Sequence, residues 1–215
     1  MHEEQVILVD DADRPVGTAE KVAAHRGCVR HRAFSVFVVS PAGDLLLQRR
    51  HESNYHTGGL WTNACDGHPR PGEDLTTAAA RRLLEEMGVA CPLEHLYAFT
   101  YEASFPDGLT ECEYDHVLLG IFDGAPSPDP TEVADWRWAP PRGLARDVAA
   151  RPEDYAIWTR LALPRVIEHL ERGEHPDPGA NPEPGANPEP GANADRGANG
   201  DPGTTSGAGA APARR

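Results

Sequence analysis

The segment from 67 to 89 carries the densest group of charged side chains that could do chemistry. It reads GHPRPGEDLTTAAARRLLEEMGV. If this segment is helical, Arg82, Glu85 and Glu86 share one face, because residues three and four apart are neighbours on a helix. Two carboxylates beside a guanidinium could hold a divalent cation and contact a phosphate group. The alternative is a surface helix on which these side chains only pair with each other.

The charge balance limits which ligands the chain can take. Its 215 residues include 34 acidic and 20 basic side chains, which gives a formal net charge of -14. A field of this sign opposes the binding of nucleic acid through a basic surface. It would also repel a phosphorylated small molecule. We therefore expect any phosphate site to depend on metal ions or on a local basic cluster.

Apolar runs alternate with turn residues and predict a mixed α and β fold. The predicted strands are residues 6–9, 34–39, 45–48, 96–101, 117–122 and 136–139. The predicted helices are residues 75–87, 144–149 and 156–170. The first helix follows Glu73 and Asp74, acids that its dipole favours in the first turn, and it ends at Gly88. This mixture predicts the α+β class or an α/β sandwich.

Residues 174–215 differ in composition from the rest of the chain. From His175 the sequence falls into hexapeptides such as NPEPGA, and the segment has no Leu, Ile, Val or aromatic residue. It cannot bury enough apolar surface to offset the entropy that ordering would cost. We therefore predict one folded domain over residues 1–173 and a disordered acidic tail over residues 174–215.

Hydropathy and cysteine usage predict the compartment. No run approaches the ~20 apolar residues that a membrane span needs, and the N-terminus lacks the apolar stretch of a signal peptide. The four cysteines have neither paired spacing nor the density of a secreted scaffold, so we expect reduced thiols. They are Cys28, Cys65, Cys91 and Cys112. We expect a cytoplasmic protein that binds neither membranes nor nucleic acid.

The 67–89 segment resembles the Nudix box, a loop–helix–loop that places carboxylates for the metal ions that grip a diphosphate. Gly67, Glu73 and the run from Arg81 to Val89 have its spacing. Most Nudix hydrolases carry glutamate at the position of Arg82. A cation there reduces the capacity for metal and adds a direct contact to phosphate.

A closer resemblance is to the type I isopentenyl-diphosphate isomerases, a branch of the Nudix fold that shifts a double bond. The run WTNACDGHP at 61–69 matches that family's WTN…GHP segment. Further matches lie at 20–25, 31–35, 45–50, 111–113 and 136–138, so the likeness covers roughly residues 5–170. It implies a Nudix-like α/β/α sandwich with a mixed sheet.

The resemblance implies a metal site in which one divalent ion is held by imidazole and carboxylate groups. The implied ligands are His25, His31, His68, Glu111 and Glu113. Mn²⁺, Zn²⁺ or Mg²⁺ would suit such ligands. On a strand Glu111 and Glu113 face the same side, as two ligands of one ion must. A second ion, Mg²⁺ on the substrate phosphates, would use Glu86.

The resemblance also implies a diphosphate site and an isoprenoid site. Lys21, the only lysine of the chain, matches a phosphate-binding position, as do Arg50 and Arg82. A further lysine of the family is Asn54 here. Aromatic rings could cover a short alkyl group and stabilise a positively charged transition state. The candidate rings are those of Trp61, Tyr101 and Trp158.

Asp66 occupies the position of the family's catalytic cysteine, which exchanges protons with the substrate opposite the metal-bound glutamate, here Glu113. Cys65 precedes it, but neighbours on a strand face opposite sides. Three functions remain open. The first is isomerisation of isopentenyl to dimethylallyl diphosphate by Asp66 and Glu113. The second is a Nudix-type hydrolase of prenyl or other diphosphates, and the third a non-catalytic binder of isoprenoid diphosphates. In each, the partner is a small molecule and we expect a monomer.

Overall fold

The computed structural model of the protein describes residues 4–54 and 57–173, so the predicted tail at 174–215 lies outside the described residues. The strands are β1 (Gln5–Val9), β2 (Pro15–Glu20), β3 (His31–Val39), β4 (Leu45–Arg50), β5 (Trp61–Thr62), β6 (Cys65–Gly67), β7 (Leu93–Ser104), β8 (Thr110–Ile121) and β9 (Val133–Ala139). The helices are α1 (Lys21–Gly27), α2 (Leu75–Met87), α3 (Pro141–Ala150) and α4 (Ile157–Glu171).

Strand β3 organises a mixed sheet. It runs parallel to β8 over nine paired positions, from His31 opposite Glu113 to Val39 opposite Ile121. It is antiparallel to β1, β4 and β6, while β7 pairs with β8 and β9 pairs with β4. The start of β3 therefore lies beside Glu113 of β8, and β6 pairs with β3 a few residues further on, with Asp66 opposite Ser35.

The side chains of β3 alternate between two cores. Phe34, Val36 and Val38 pack with one face of α2, whose buried residues include Leu83 and Met87. The intervening β3 residues Phe37 and Val39 pack in a second core. The helix residues of this core include Leu144 of α3 and Leu163 and Val166 of α4. Helices thus cover both faces of the sheet, which confirms the α/β/α sandwich.

The strands and the helix that the sequence predicted from local signals are present in the structure. The six predicted strands are all present, and α2 begins and ends at the predicted residues. Asp74 caps α2 by accepting from the backbone N–H of Thr77, and the first turn holds no acid, so that detail of the prediction was wrong. Gly88 ends α2 in the left-handed conformation.

Two cysteines correct the expectation of four reduced thiols. Cys28 and Cys112 form a disulfide across 84 positions of sequence, and Cys65 and Cys91 are free thiols. Sequence spacing could not show this pair, because it forms only when the end of α1 is brought beside β8. Among the described helices, none combines the length and apolar character needed to cross a bilayer.

Candidate active site

The implied metal ligands come together in the fold from four separate elements. Each offers one ligand atom, these atoms all lie within 4.8 Å of one another, and all five residues are buried: His25 of α1, His31 of β3, His68 just after β6, and Glu111 and Glu113 of β8. Glu20 positions α1 by accepting hydrogen bonds from the backbone N–H groups of Val22 and Ala23. The separation is small enough for a single ion.

The histidine rings present Nε2 to the carboxylates. The Nε2 atoms of His25 and His68 lie 3.0 Å from oxygens of Glu111 and Glu113, respectively. The Nε2 atom of His31 lies 3.7 Å from Glu113 Oε1 and is buried without a hydrogen-bond partner among the described residues. An unsatisfied buried nitrogen aimed at a carboxylate fits a metal ligand.

The opposite ring nitrogens fix the orientation of two of these histidines. The Nδ1 atom of His25 lies 2.6 Å from the carbonyl oxygen of Lys21, and that of His31 lies 2.8 Å from the carbonyl oxygen of Val29. A ring N–H that donates to a carbonyl leaves the lone pair of Nε2 for a metal. The donor set and its backbone supports therefore fit one divalent ion.

The protonation states of the cluster suit cation binding. Burial opposes ionisation of Glu113, but the adjacent imidazole groups of His31 and His68 outweigh it and hold its pKa well below the usual range. Burial lowers the pKa of His68, which favours the neutral ring that a metal requires. The Tyr101 hydroxyl donates to Glu113 at 2.7 Å, and burial raises the pKa of this phenol well above its ordinary value. Tyr101 thus acts on Glu113 as a permanent donor.

This cluster opens into a cavity of about 770 Å³. His25, His68, Glu111 and Glu113 line it. The predicted phosphate-binding residues line it as well: Lys21, Arg50 and Arg82. Because the chain has a net negative charge, a phosphorylated ligand needs such a local group of cations to bind.

The three cations are held by neighbouring acids. The Lys21 ammonium lies 3.1 Å from Glu4, which is close enough for an ion pair. Arg82 donates to Glu85 at 2.9 Å and also pairs with Glu86. The alternative that the charged side chains of α2 only pair with each other is therefore partly correct for Arg82. The Arg82 side chain nevertheless lines the cavity.

Asp66 faces the same cavity, whereas Cys65 does not. Arg50 Nη1 donates to both carboxylate oxygens of Asp66, at 3.1 and 3.0 Å. The Cys65 side chain is fully buried, and burial raises its thiol pKa well above the ordinary value. Alternation along β6 thus holds, and Cys65 is an inert thiol on the other face.

Only one of the three predicted aromatic residues lines the cavity. Trp158 does so, with its indole N–H donating to Thr62 and its ring centroid 5.5 Å from the guanidinium carbon of Arg50. The Trp61 ring lies 4.4 Å from the guanidinium carbon of Arg137 and packs on the second core. Trp61 therefore does not line the cavity. Tyr101 does not line it either, but its hydroxyl contacts Glu113, which does.

Two further polar groups escaped the sequence analysis. Gln48 is buried and donates to Glu86 at 2.7 Å, which orients the carboxylate toward the cavity side of α2. Asp115 is also buried and accepts from Ser35, a residue of the cavity wall, at 2.8 Å. Burial and the charge of Glu113 raise the pKa of Asp115 well above its ordinary value. The spacing 111, 113, 115 could have indicated Asp115, whereas no local signal marks Gln48.

Comparisons with known proteins give the family. The NUDIX domain profile matches residues 29–161. A protein of Aromatoleum aromaticum named isopentenyl-diphosphate Delta-isomerase 2 is 50% identical over 165 residues, 77% of this chain and 87% of that protein. The isopentenyl-diphosphate Delta-isomerase of Burkholderia multivorans is 48% identical over 163 residues, which cover 76% of this chain and 93% of that protein.

The chain belongs to the isopentenyl-diphosphate Delta-isomerase family of Nudix-domain proteins. Solved structures agree on the fold alone. A crystal structure from Deinococcus radiodurans has a TM-score of 0.63 at 22% identity, covering 75% of this chain and 98% of its own. In this member of the isomerase family, the cluster of His25, His31, His68, Glu111 and Glu113 is a group of residues that could hold a metal ion.

Proposed function

We propose that this protein interconverts isopentenyl diphosphate and dimethylallyl diphosphate. The observation that carries the proposal is a cavity that joins the five-residue His and Glu cluster to Lys21, Arg50 and Arg82, in a chain 50% identical to a protein named for this reaction. The cations would bind the diphosphate, and the indole face of Trp158 would cover the alkyl group and stabilise positive charge on it.

The reaction needs one proton added to the terminal alkene carbon and one removed from the allylic carbon. Glu113 and Asp66 both line the cavity and are the proposed pair for these transfers. Tyr101 holds Glu113 in place through its hydroxyl. Asp66 would replace the thiol of the family, and Arg50 holds it with both carboxylate oxygens engaged.

We propose Mn²⁺ or Zn²⁺ for the five-residue cluster and Mg²⁺ for Glu86. When bound, such ions supply positive charge that stabilises the carboxylates and the diphosphate. Glu86 fits the second ion because Gln48 orients it and because it lies on the cavity wall among the phosphate-binding residues. We also propose that the protein acts as a monomer in the cytoplasm.

One assay tests the function. The full chain is incubated with isopentenyl diphosphate, Mg²⁺ and Mn²⁺, and both dimethylallyl diphosphate and released phosphate are measured. We expect the isomer, with solvent deuterium incorporated into it in ²H₂O, and no more phosphate than the Glu113→Gln variant releases. Phosphate without isomer would instead indicate a hydrolase. Saturable binding without either product would indicate a non-catalytic binder.

A further inference from the structure

The disulfide joins two elements that both carry residues of the five-residue cluster. Cys28 follows α1 directly, three residues after His25, and Cys112 lies on β8 between Glu111 and Glu113. The two Cα atoms are 5.2 Å apart. The covalent bond therefore fixes the end of α1 against the strand that supplies both glutamates.

Helix α1 depends on such attachments. It has seven residues, which is too short for a helix to be stable by itself. Its first turn is held by the Glu20 cap and by the bond from Lys21 N–H to the carbonyl of Glu4. At its last turn, Cys28 adopts φ 45°, and its N–H contacts the carbonyls of Ala24 and His25. The disulfide anchors this last turn to β8.

The position of His25 follows from that anchor. Its Nε2 lies 3.0 Å from Glu111 Oε2, so a small displacement of α1 relative to β8 separates two of the five cluster residues. Cys112 faces the side of β8 opposite to Glu113, because successive residues of a strand point to opposite faces, and it lies beside Glu102 instead of the histidines. The disulfide thus fixes α1 to β8 on the face opposite to the five-residue cluster, and neither sulfur belongs to the cluster.

The two cysteines differ in exposure. Cys28 is half-buried, whereas Cys112 is 3% exposed. A dithiol reductant can therefore reach Cys28 more easily. Its first thiolate attacks Cys28 Sγ and forms a mixed disulfide, and Cys112 leaves as a thiolate that takes up a proton. The second thiol of the reductant then displaces Cys28, so two electrons pass to the protein and the reductant becomes a disulfide.

We propose that Cys28 and Cys112 form a reversible thiol–disulfide site that controls the metal affinity of the five-residue cluster. The disulfide form holds His25 in register with Glu111, and the dithiol form binds the divalent ion more weakly. Disulfides in reducing compartments are typically transient and redox-sensing, which agrees with this role. The inference rests on the proposed metal centre and extends it to regulation.

The test compares the two redox states of the full chain. One sample is treated with glutathione disulfide and the other with tris(carboxyethyl)phosphine, and both are desalted before titration with Mn²⁺, whose free concentration is measured by electron paramagnetic resonance. Mn²⁺ is used because it prefers carboxylate ligands to the thiols that reduction releases. Thiols are counted after denaturation in the presence of an alkylating agent. We expect two free thiols and the higher Mn²⁺ affinity in the oxidised sample, and four thiols with an affinity lower by about fivefold or more in the reduced one. Reoxidation should restore the affinity.

Variants separate this site from the other cysteines. Cys91→Ala removes a free thiol away from the cluster and should keep the full redox response. The Cys28→Ser/Cys112→Ser protein should show the lower affinity under both conditions, with circular dichroism to verify its fold. Equal affinity in both states of the wild type, or four thiols after oxidation, would overturn the inference while leaving the proposed function intact. No Mn²⁺ binding in either state would contradict the metal centre as well.

Discussion

Arg50 Nη1 donates to both oxygens of the Asp66 carboxylate, at 3.1 and 3.0 Å. Asp66, which the resemblance places at the family's cysteine position, therefore engages one of the cations proposed to bind diphosphate. A ligand phosphate must compete with Asp66 for this guanidinium. Proton transfer by Asp66 and its ion pair with Arg50 can be tested separately by substitution.

Replacement of Asp66 by cysteine should raise isomerase turnover. The thiol restores the family's proton-transfer group, and the loss of the carboxylate leaves Arg50 available to the diphosphate. We expect kcat/KM for isopentenyl diphosphate to rise about tenfold or more, since a positioned acid or base typically contributes 10²–10⁴-fold. Asp107→Cys, which changes an exposed turn residue, is the matched control and should leave kcat/KM unchanged. If Asp66→Cys gains nothing, the site differs from the family at more than this residue.

Replacement of Asp66 by asparagine should separate binding from turnover. The amide keeps the shape but cannot exchange a proton, so we expect isomer formation to be lost. The ion pair with Arg50 is lost as well, so inorganic pyrophosphate should bind about tenfold more tightly, or by about 1.4 kcal/mol, in calorimetry. Glu113→Gln should lose turnover without this gain in affinity. Full activity in Asp66→Asn would remove Asp66 from the mechanism.

Removal by chelation of the divalent ion proposed for the five-residue cluster should abolish turnover. The protein should hold one such ion per cluster. We expect His31→Ala to lose most of this metal in elemental analysis, because the mutation removes a buried ligand nitrogen. His95→Ala is the matched control, since His95 is an exposed histidine on β7 that contacts His116 instead of the cluster. Equal metal content in the two variants would exclude His31 as a ligand.

The sequence predicted those parts of the fold whose signals are local. Helix α2 has its apolar period, its Asp74 cap and its terminal Gly88 within one segment, and its bounds were correct. Strand β2 and helix α1 were missed for the opposite reason. Strand β2 is largely exposed and contains Gly17, while α1 has only seven residues, so both depend on tertiary contacts.

Within the site as well, local spacing could be interpreted from the sequence, whereas contacts between elements could not. The two-residue spacing of Glu111 and Glu113 predicted a shared face, and the structure has both in one cluster. The contact of Arg50 with Asp66 could not be predicted, because it joins β4 to β6 across the curled sheet. The disulfide likewise depends on how α1 meets β8. The spacing within β8 predicted that Glu111 and Glu113 share a face, and the family resemblance indicated the other candidate site residues, whereas contacts between elements required the fold.

Restoring the missing lysine should strengthen diphosphate binding. Asn54 lines the cavity, and its side-chain amide donates to the carbonyl of Glu132 at 2.9 Å. A contact between charge and phosphate contributes about 1.5–3 kcal/mol, so Asn54→Lys should lower KM for isopentenyl diphosphate about tenfold, with an effect that weakens at high salt. Thr100→Lys adds the same charge at an exposed position of β7 and should change KM little. Equal effects of the two lysines would indicate general electrostatics instead of a contact.

The pH dependence of stability should report the state of Glu86. Burial and the nearby Asp66 raise its pKa to about 7, although Arg82, Gln48 and Arg50 act in the opposite direction. The folded protein thus holds a proton that the unfolded chain, with a pKa near 4.5, has released. The free energy of unfolding should therefore fall as pH rises from about 4.5 to about 7 and level off above that. Glu86→Gln cannot lose this proton, so its melting temperature in EDTA should fall less than that of the wild type between pH 5 and pH 7.5. Identical pH profiles for the two proteins would show that Glu86 ionises normally in the fold, and Mg²⁺ affinity would then not increase with pH through neutrality.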